Sequence, residues 1–217
     1  MKQESISMMV VRRLPRYYRF LSDMEAMGIT KISSGELAKR MNLTASQIRQ
    51  DLNCCGGFGQ QGYGYHIPTL RAKIGEILGI DRPRKAILLG AGNMGRALAG
   101  YTAFERKGLY LVGIFDADIR KVGESYGGLT VQHINNLTEF CKKEKPEAAV
   151  ICVGPWAAQE MCGQLIKLGI RGFVNFSRYD ILADHPDVMV QNVHIGDAML
   201  TLSYQMCRAE ELPETSQ

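Results

Sequence analysis

Residues 84–116, RKAILLGAGNMGRALAGYTAFERKGLYLVGIFD, decide the fold of the larger part of the chain. Arg84–Leu89 has the apolar run of a buried strand and leads directly into Gly90-Ala91-Gly92-Asn93-Met94-Gly95. A helix is expected from there through about Lys107, and a second apolar run, Leu109–Phe115, ends at Asp116. G-x-G-x-x-G says little alone. Strand, glycine loop, helix, strand and acid in this order describe the phosphate-binding half of a Rossmann domain. Gly90 permits the tight turn, Gly92 lets the backbone approach a pyrophosphate, and Gly95 allows helix and strand to pack closely, with the helix N-terminus facing the phosphate charge. At the end of the second strand the Asp116 carboxylate can accept hydrogen bonds from both hydroxyls of an adenosine ribose and repel a 2′-phosphate. The spacing therefore predicts NAD(H) in preference to NADP(H).

Downstream the α/β alternation continues. Ala148–Val153 reads as a strand, Ala157–Leu168 as a helix, Gly172–Asn175 as a strand and Val188–Val193 as a last strand. Gly196–Arg208 reads as an amphipathic helix with Met199, Leu200, Leu202 and Met206 apolar. A terminal helix of this kind packs on a partner subunit or on its own domain, and the pattern leaves both open.

Upstream, Asp81-Arg82-Pro83-Arg84 marks a boundary, and the pattern before it is helical. Val10, Leu14, Tyr17, Leu21 and Met24 recur at three- and four-residue spacing, which predicts one helix over 6–27 stopped by Gly28. Ser33-Ser34-Gly35-Glu36 and Thr44-Ala45-Ser46-Gln47 are capping boxes opening two short helices, one through Met41 and one through about Asn53, joined by the brief Asn42-Leu43 connection. Two capped helices so joined make a helix-turn-helix. Leu37, Ala38, Met41, Leu43, Ile48 and Leu52 are its apolar positions. Ser46, Gln47, Arg49 and Gln50 fall on the second helix and are residue types that read base edges or phosphates. The glycine-rich, aromatic stretch Gly56–Tyr65 suits a β-hairpin wing. A plain α-hairpin buried in a core is the competing reading.

Charge favours the nucleic-acid reading. Residues 1–82 hold 12 Lys/Arg and 7 Asp/Glu, a net of +5, and the remainder holds 14 and 15, a net of −1. A basic module joined to a neutral one points to a polyanionic partner. No apolar run approaches the roughly 20 residues of a membrane span, and the N-terminus lacks the features of a signal peptide, so a cytoplasmic chain is expected. The six cysteines form no C-x-x-C pair and do not group with the four histidines at zinc spacing, so no metal site is expected; the vicinal Cys54-Cys55 reads as reduced thiols.

The chain resembles the Rex family of redox-sensing repressors over nearly its whole length. Arg13–Arg19, Ser33–Leu52 and Gly62-Tyr63-Gly64-Tyr65 resemble the family's DNA-binding half, and Gly90–Gly95, Tyr101, Asp116, Asn175-Phe176 and Asn192-Val193 its sensor half. The resemblance implies a winged helix at 1–82, a Rossmann NAD(H)-binding domain at 83–195, and a swapped dimerisation helix and tail at 196–217. It also implies a homodimer on palindromic double-stranded operator DNA, released when NADH binds. It adds Arg13, Gly62, Tyr63, Gly64 and Tyr65 to the DNA-binding set and Tyr101, Val153, Asn175 and Phe176 to Gly90, Ala91, Gly92, Asn93, Met94, Gly95 and Asp116 in the cofactor set. Arg19, Arg178 and His194 match switch positions.

Departures from the family cluster. Gln50 stands where it usually has lysine, Gln60 and Gln61 where the wing is basic, Val153-Gly154-Pro155 where proline follows valine directly, Ser177-Arg178 for Ala-Pro, and His194 for an aspartate thought to contact the arginine matching Arg19. An Arg178 pointing into the pocket would disfavour the cationic nicotinamide. Pointing away, it would leave the loss of the aspartate to blunt the response. A CoA- or adenine-nucleotide-responsive regulator and a small NAD-dependent oxidoreductase are the alternatives. Against the second, no Tyr-x-x-x-Lys or His-Asp constellation accompanies the glycine loop, and no catalytic residue is assigned.

Overall fold

The computed structural model describes residues 6–56, 64–101 and 107–210. It divides into two compact units with the boundary between Pro83 and Arg84.

In the first unit the helix expected over 6–27 is two: α1 (Met8–Val11) and α2 (Leu14–Ala26). Pro15 is the reason. It has no N–H to give the carbonyl four residues back, and its ring crowds that carbonyl, so the first helix ends and Pro15 enters the first turn of the second. α2 closes on Gly28 at φ 77°, with Ile29 N–H donating to the Met24 carbonyl and Gly28 N–H to that of Glu25. After the short strand β1 (Lys31–Ile32) come α3 (Ser34–Met41) and α4 (Ala45–Cys54). Ser33 Oγ accepts from Glu36 N at 3.1 Å and Thr44 Oγ1 from Gln47 N at 3.1 Å, as the caps require. Asn42 turns the chain between them at φ 51°, a left-handed conformation that asparagine tolerates.

Of the expected wing, residues 57–63 lie outside the described part. What is described is the antiparallel pairing of β1 with β2 (Tyr65–His66). A Cβ on Gly64, at φ 72°, would stand 2.6 Å from the Ile32 carbonyl oxygen, so the close approach of these strands demands glycine there. A helix not assigned from sequence, α5 (Ile67–Ile77), follows and packs on α2. Leu14, Tyr17, Leu21, Leu37, Met41, Ile48, Leu52, Ile67, Leu70 and Ile74 close one core.

The second unit is built on a seven-stranded sheet. In chain order its elements are β3 (Arg84–Leu89), α6 (Asn93–Ala99), β4 (Leu109–Asp116), β5 (Ser125–Tyr126), β6 (Leu129–His133), α7 (Leu137–Glu144), β7 (Ala148–Ile151), α8 (Pro155–Lys167), β8 (Gly172–Asn175), α9 (Ile181–Asp184), β9 (Met189–Asn192) and α10 (Ile195–Glu210). Six strands pair parallel in the order β6-β4-β3-β7-β8-β9, and β5 joins β6 antiparallel at the edge. Numbered along the chain, the parallel strands run 3-2-1-4-5-6, the Rossmann order, with the reversal between β3 and β7. β7 is buried along its length, as a strand covered on both faces must be.

α6 stops at Ala99 rather than near Lys107. The β5–β6 turn is the two-residue Gly127-Gly128, both at positive φ, and a Cβ on Gly127 would meet the Ala99 carbonyl oxygen at 2.0 Å. The hairpin abuts the helix end. Among the described residues no helix is long and apolar enough to cross a membrane.

Candidate nucleotide cleft and nucleic-acid face

The three glycines of the loop after β3 do different work. Gly90 sits at φ 96°, donates its N–H to the Phe115 carbonyl at 2.8 Å, and leaves no room for a side chain: a Cβ would lie 2.6 Å from the Cys152 carbonyl oxygen. A Cβ on Gly95 would lie 1.8 Å from the Gly90 carbonyl oxygen, so the loop and α6 pack backbone to backbone. Gly92 faces open space. Two glycines thus build the loop and one leaves its outer face bare, a cradle that fits a pyrophosphate. Arg96, not singled out from sequence, holds the loop from α6 by donating Nε to the Ala91 carbonyl at 3.1 Å.

Asp116 stands at the end of β4, where expected, but its carboxylate is already engaged. Oδ2 accepts from Ala91 N at 2.7 Å and from Lys121 Nζ at 2.9 Å, and Oδ1 accepts from Asp118 N at 2.8 Å. Burial alone would raise its pKa; those donors outweigh it and hold the carboxyl below its ordinary value. Asp116 therefore ties the glycine loop to the following turn. A ribose hydroxyl arriving at Oδ2 must displace or share Lys121.

At the carboxyl ends of β7, β8 and β9 lies a cleft of about 530 Å³. Met94, Val153, Phe176, Arg178 and His194 line it, together with Cys152, Val193, Ile195, Gly196 and Asp197. Arg178 therefore lines the cleft. Cys152 is half-buried, and burial pushes its thiol up to about 12. Asn175, expected in the cofactor set, is fully buried, and its side-chain amide is engaged within the protein. Its Nδ2 donates to the Tyr179 carbonyl and to Asn192 Oδ1, both at 2.9 Å, and its Oδ1 accepts from Ser177 N at 3.0 Å and Ser177 Oγ at 2.6 Å. It shapes the loop that carries Phe176 and Arg178. Tyr101 is half-exposed just past α6 and accepts from Lys107 Nζ at 2.9 Å; it is not among the cleft-lining residues.

On the first unit, Ser46, Arg49 and Gln50 are exposed on α4, and Arg49 Nη1 donates to Ser34 Oγ at 3.3 Å. Arg13 and Gln47 share a partner that sequence reading missed. Asp51 has no exposed surface, and it accepts from Arg13 Nε and Nη2, both at 2.7 Å, from Gln47 Nε2 at 2.8 Å and from Tyr17 Oη at 2.9 Å. Tyr65, expected on the DNA face, is 5% exposed and belongs to the core, the inward position of the β1–β2 pair. Gly64 is described at the start of that pair; Gly62 and Tyr63 lie outside the described residues, as do Gln60 and Gln61. Arg19 is exposed on α2.

Residues 5–53 match a family described as a putative DNA-binding protein N-terminus, and residues 81–179 one described as a CoA binding domain. The chain is 46% identical over 205 residues to the redox-sensing transcriptional repressor Rex of Caldicellulosiruptor saccharolyticus, covering 94% of this chain and 93% of that protein. It is 45% identical to the repressor of the same name from Clostridium perfringens, covering 94% and 95%. Among solved structures it resembles RSP in complex with β-NAD+ and operator DNA, with a TM-score of 0.87, 40% identity and coverage of 98% of this chain and 99% of the other. RSP in complex with β-NADH matches with a TM-score of 0.85 at 38% identity, covering 94% and 96%.

Proposed function

Since the chain belongs to the Rex family of redox-sensing transcriptional repressors, we propose that it represses transcription by binding operator DNA through residues 1–82 and that NADH or NAD+, held by residues 83–195, sets that affinity. The observation that carries this reading is the glycine loop. Two of its positions exclude any side chain, a third is bare, and the loop adjoins a cleft at the point where the strand order reverses. Gly90–Gly95 would hold the pyrophosphate, Asp116 the adenosine ribose, and Val153, Phe176 and Arg178 the nicotinamide end. The bound group supplies one thing: a ring whose charge differs by one between its oxidation states. No reaction is assigned to the chain. α10 exposes Met199, Leu200, Leu202, Tyr204 and Met206, each more than half exposed, and an apolar surface of that kind fits a second copy of the chain in a homodimer.

Titrating a labelled operator complex with each nucleotide tests the whole reading. The expected result is release by one oxidation state at concentrations where the other releases little. CoA and ATP serve as further ligands, and release by either in place of NADH and NAD+ would move the assignment to an adenine-nucleotide or CoA regulator.

Two substitutions test the parts. Arg49→Ala is expected to weaken operator binding by about 1–3 kcal/mol, the range for one base or phosphate contact in the groove; an unchanged affinity in a mobility-shift titration would remove Arg49 from the interface. Asp116→Ala is expected to weaken NADH by about 1–3 kcal/mol, because it takes away a charged acceptor and loosens its hold on Ala91. It should also narrow the preference over NADPH. Calorimetry showing neither change would assign the carboxylate to loop structure alone.

A further inference from the structure

We propose that His194 makes the cleft's choice between oxidised and reduced nicotinamide depend on pH, by adding one positive charge beside Arg178 when its ring is protonated. The inference rests on the dinucleotide reading above and deepens it. His194 follows β9 and is about one third exposed. Its Nε2 is 2.9 Å from the Ser177 carbonyl oxygen and its Nδ1 is 3.4 Å from Asp197 Oδ2. Both partners only accept. A neutral imidazole carries one N–H and satisfies one of them, whereas an imidazolium satisfies both. The ring is thus seated where either form is held and the charged form is held twice.

Besides Asp197 in the first turn of α10, which its ring contacts, the titratable and charged groups that line the cleft with His194 are Arg178 on the loop after β8 and Cys152 after β7; Met94 of α6 and Phe176 bring no charge. The Cys152 thiol is neutral because burial raises it to about 12. Asp197 is 78% exposed, so water screens much of its charge. Histidine is the side chain whose ordinary chemistry places a charge change between about pH 5 and 8. When it does so here, the cleft holds two cationic side chains against one screened carboxylate. That balance opposes a ring carrying a formal positive charge and is indifferent to the uncharged reduced ring. The proton therefore acts on NAD+ and leaves NADH nearly alone.

Calorimetry of the full chain with NAD+, NADH and ADP-ribose at pH 8 and pH 6 tests this. ADP-ribose carries the same adenosine and pyrophosphate and lacks the nicotinamide. The expected result is a dissociation constant for NAD+ that rises roughly fivefold on going to pH 6, with NADH and ADP-ribose changing less than about twofold. H194Q, neutral throughout, is expected to lose the pH dependence toward NAD+, whatever its absolute affinity for either nucleotide. A wild-type affinity for NAD+ that is flat with pH, or that moves only as ADP-ribose moves, overturns the inference without recourse to any variant, and so does a slope that survives in H194Q. If none of the three ligands binds at either pH, the dinucleotide reading falls and the inference with it.

Discussion

Asp51→Ala is expected to destabilise the first unit by about 2–4 kcal/mol, the consequence of removing a buried charged acceptor from a buried phenol and a partly exposed guanidinium. Asp51 accepts four hydrogen bonds with no surface exposed, and Tyr17, one of its donors, is equally buried. Truncation leaves a phenol O–H with no acceptor and a guanidinium that α4 no longer holds. Asp51→Asn keeps the volume but presents donors to donors at one end, and a loss of about 1.5–3 kcal/mol is expected. The acid response follows from the direction of the carboxyl's shift. Burial acts to raise it, but the bonds from Arg13, Gln47 and Tyr17 prevail and it lies below its ordinary value of 3.8. The carboxylate's contribution is therefore complete above the unfolded value, near pH 4, and drains away as pH falls through the folded one. Urea melts followed by far-ultraviolet circular dichroism at pH 7 and at pH 3 check this. The variants should be destabilised at pH 7, and their gap from the wild type should begin to narrow as pH falls below about 4; equal melting at pH 7 would show that the network adds nothing.

Gly95→Ala is expected to abolish useful dinucleotide binding. Its Cβ would stand 1.8 Å from the Gly90 carbonyl oxygen and 3.1 Å from Leu88 Cδ2, and the first of these is backbone that cannot swing aside. The loop must lift off α6. The expected cost in stability is about 1–3 kcal/mol, as for an overpacked core, and the expected loss of NADH affinity is about a hundredfold or 2.7 kcal/mol. Gly92→Ala separates the two effects. That Cβ meets nothing within 4 Å, so the protein should melt as the wild type does while the bound pyrophosphate is held off. Normal NADH affinity in Gly95→Ala, or a large stability loss in Gly92→Ala, would mean that the loop roles are misassigned.

What the sequence made legible was what short-range chemistry decides. Ser33 and Thr44 announce their helices because a cap and its N–H partner are three residues apart. The glycine loop is likewise a local motif between two apolar runs. The Rossmann order follows from such units because parallel strands joined by right-handed crossovers admit few arrangements. Asp51 was invisible for the opposite reason. On α4 it reads as a solvated helix charge, and its role comes from Arg13, 38 positions away. Asn175 and Tyr65 carry the right chemistry for binding, yet tertiary packing turns both inward. α5 carries a readable period in Ile67, Leu70 and Ile74, but Gly75 interrupts it; the helix tolerates that glycine because a Cβ would press on the Tyr18 ring at 3.2 Å. The β5–β6 hairpin at Gly127-Gly128 was not assigned from sequence, and its packing against the end of α6 is a tertiary contact that no local pattern carries.

The thiol of Cys152 brings a different kind of selectivity to the cleft. Oxidants attack thiolates, and with burial pushing its pKa up to about 12 the Cys152 thiol stays protonated at neutral pH. Peroxide reaching the cleft therefore finds almost no nucleophile there. The chemical record of oxidation would be covalent, slow to erase and blind to the state of the nucleotide pool. If the nucleotide occupies this cleft as proposed, reversible occupancy instead reports the present ratio, is forgotten within the lifetime of a complex, and carries forward no memory of past oxidative exposure at this sulfur.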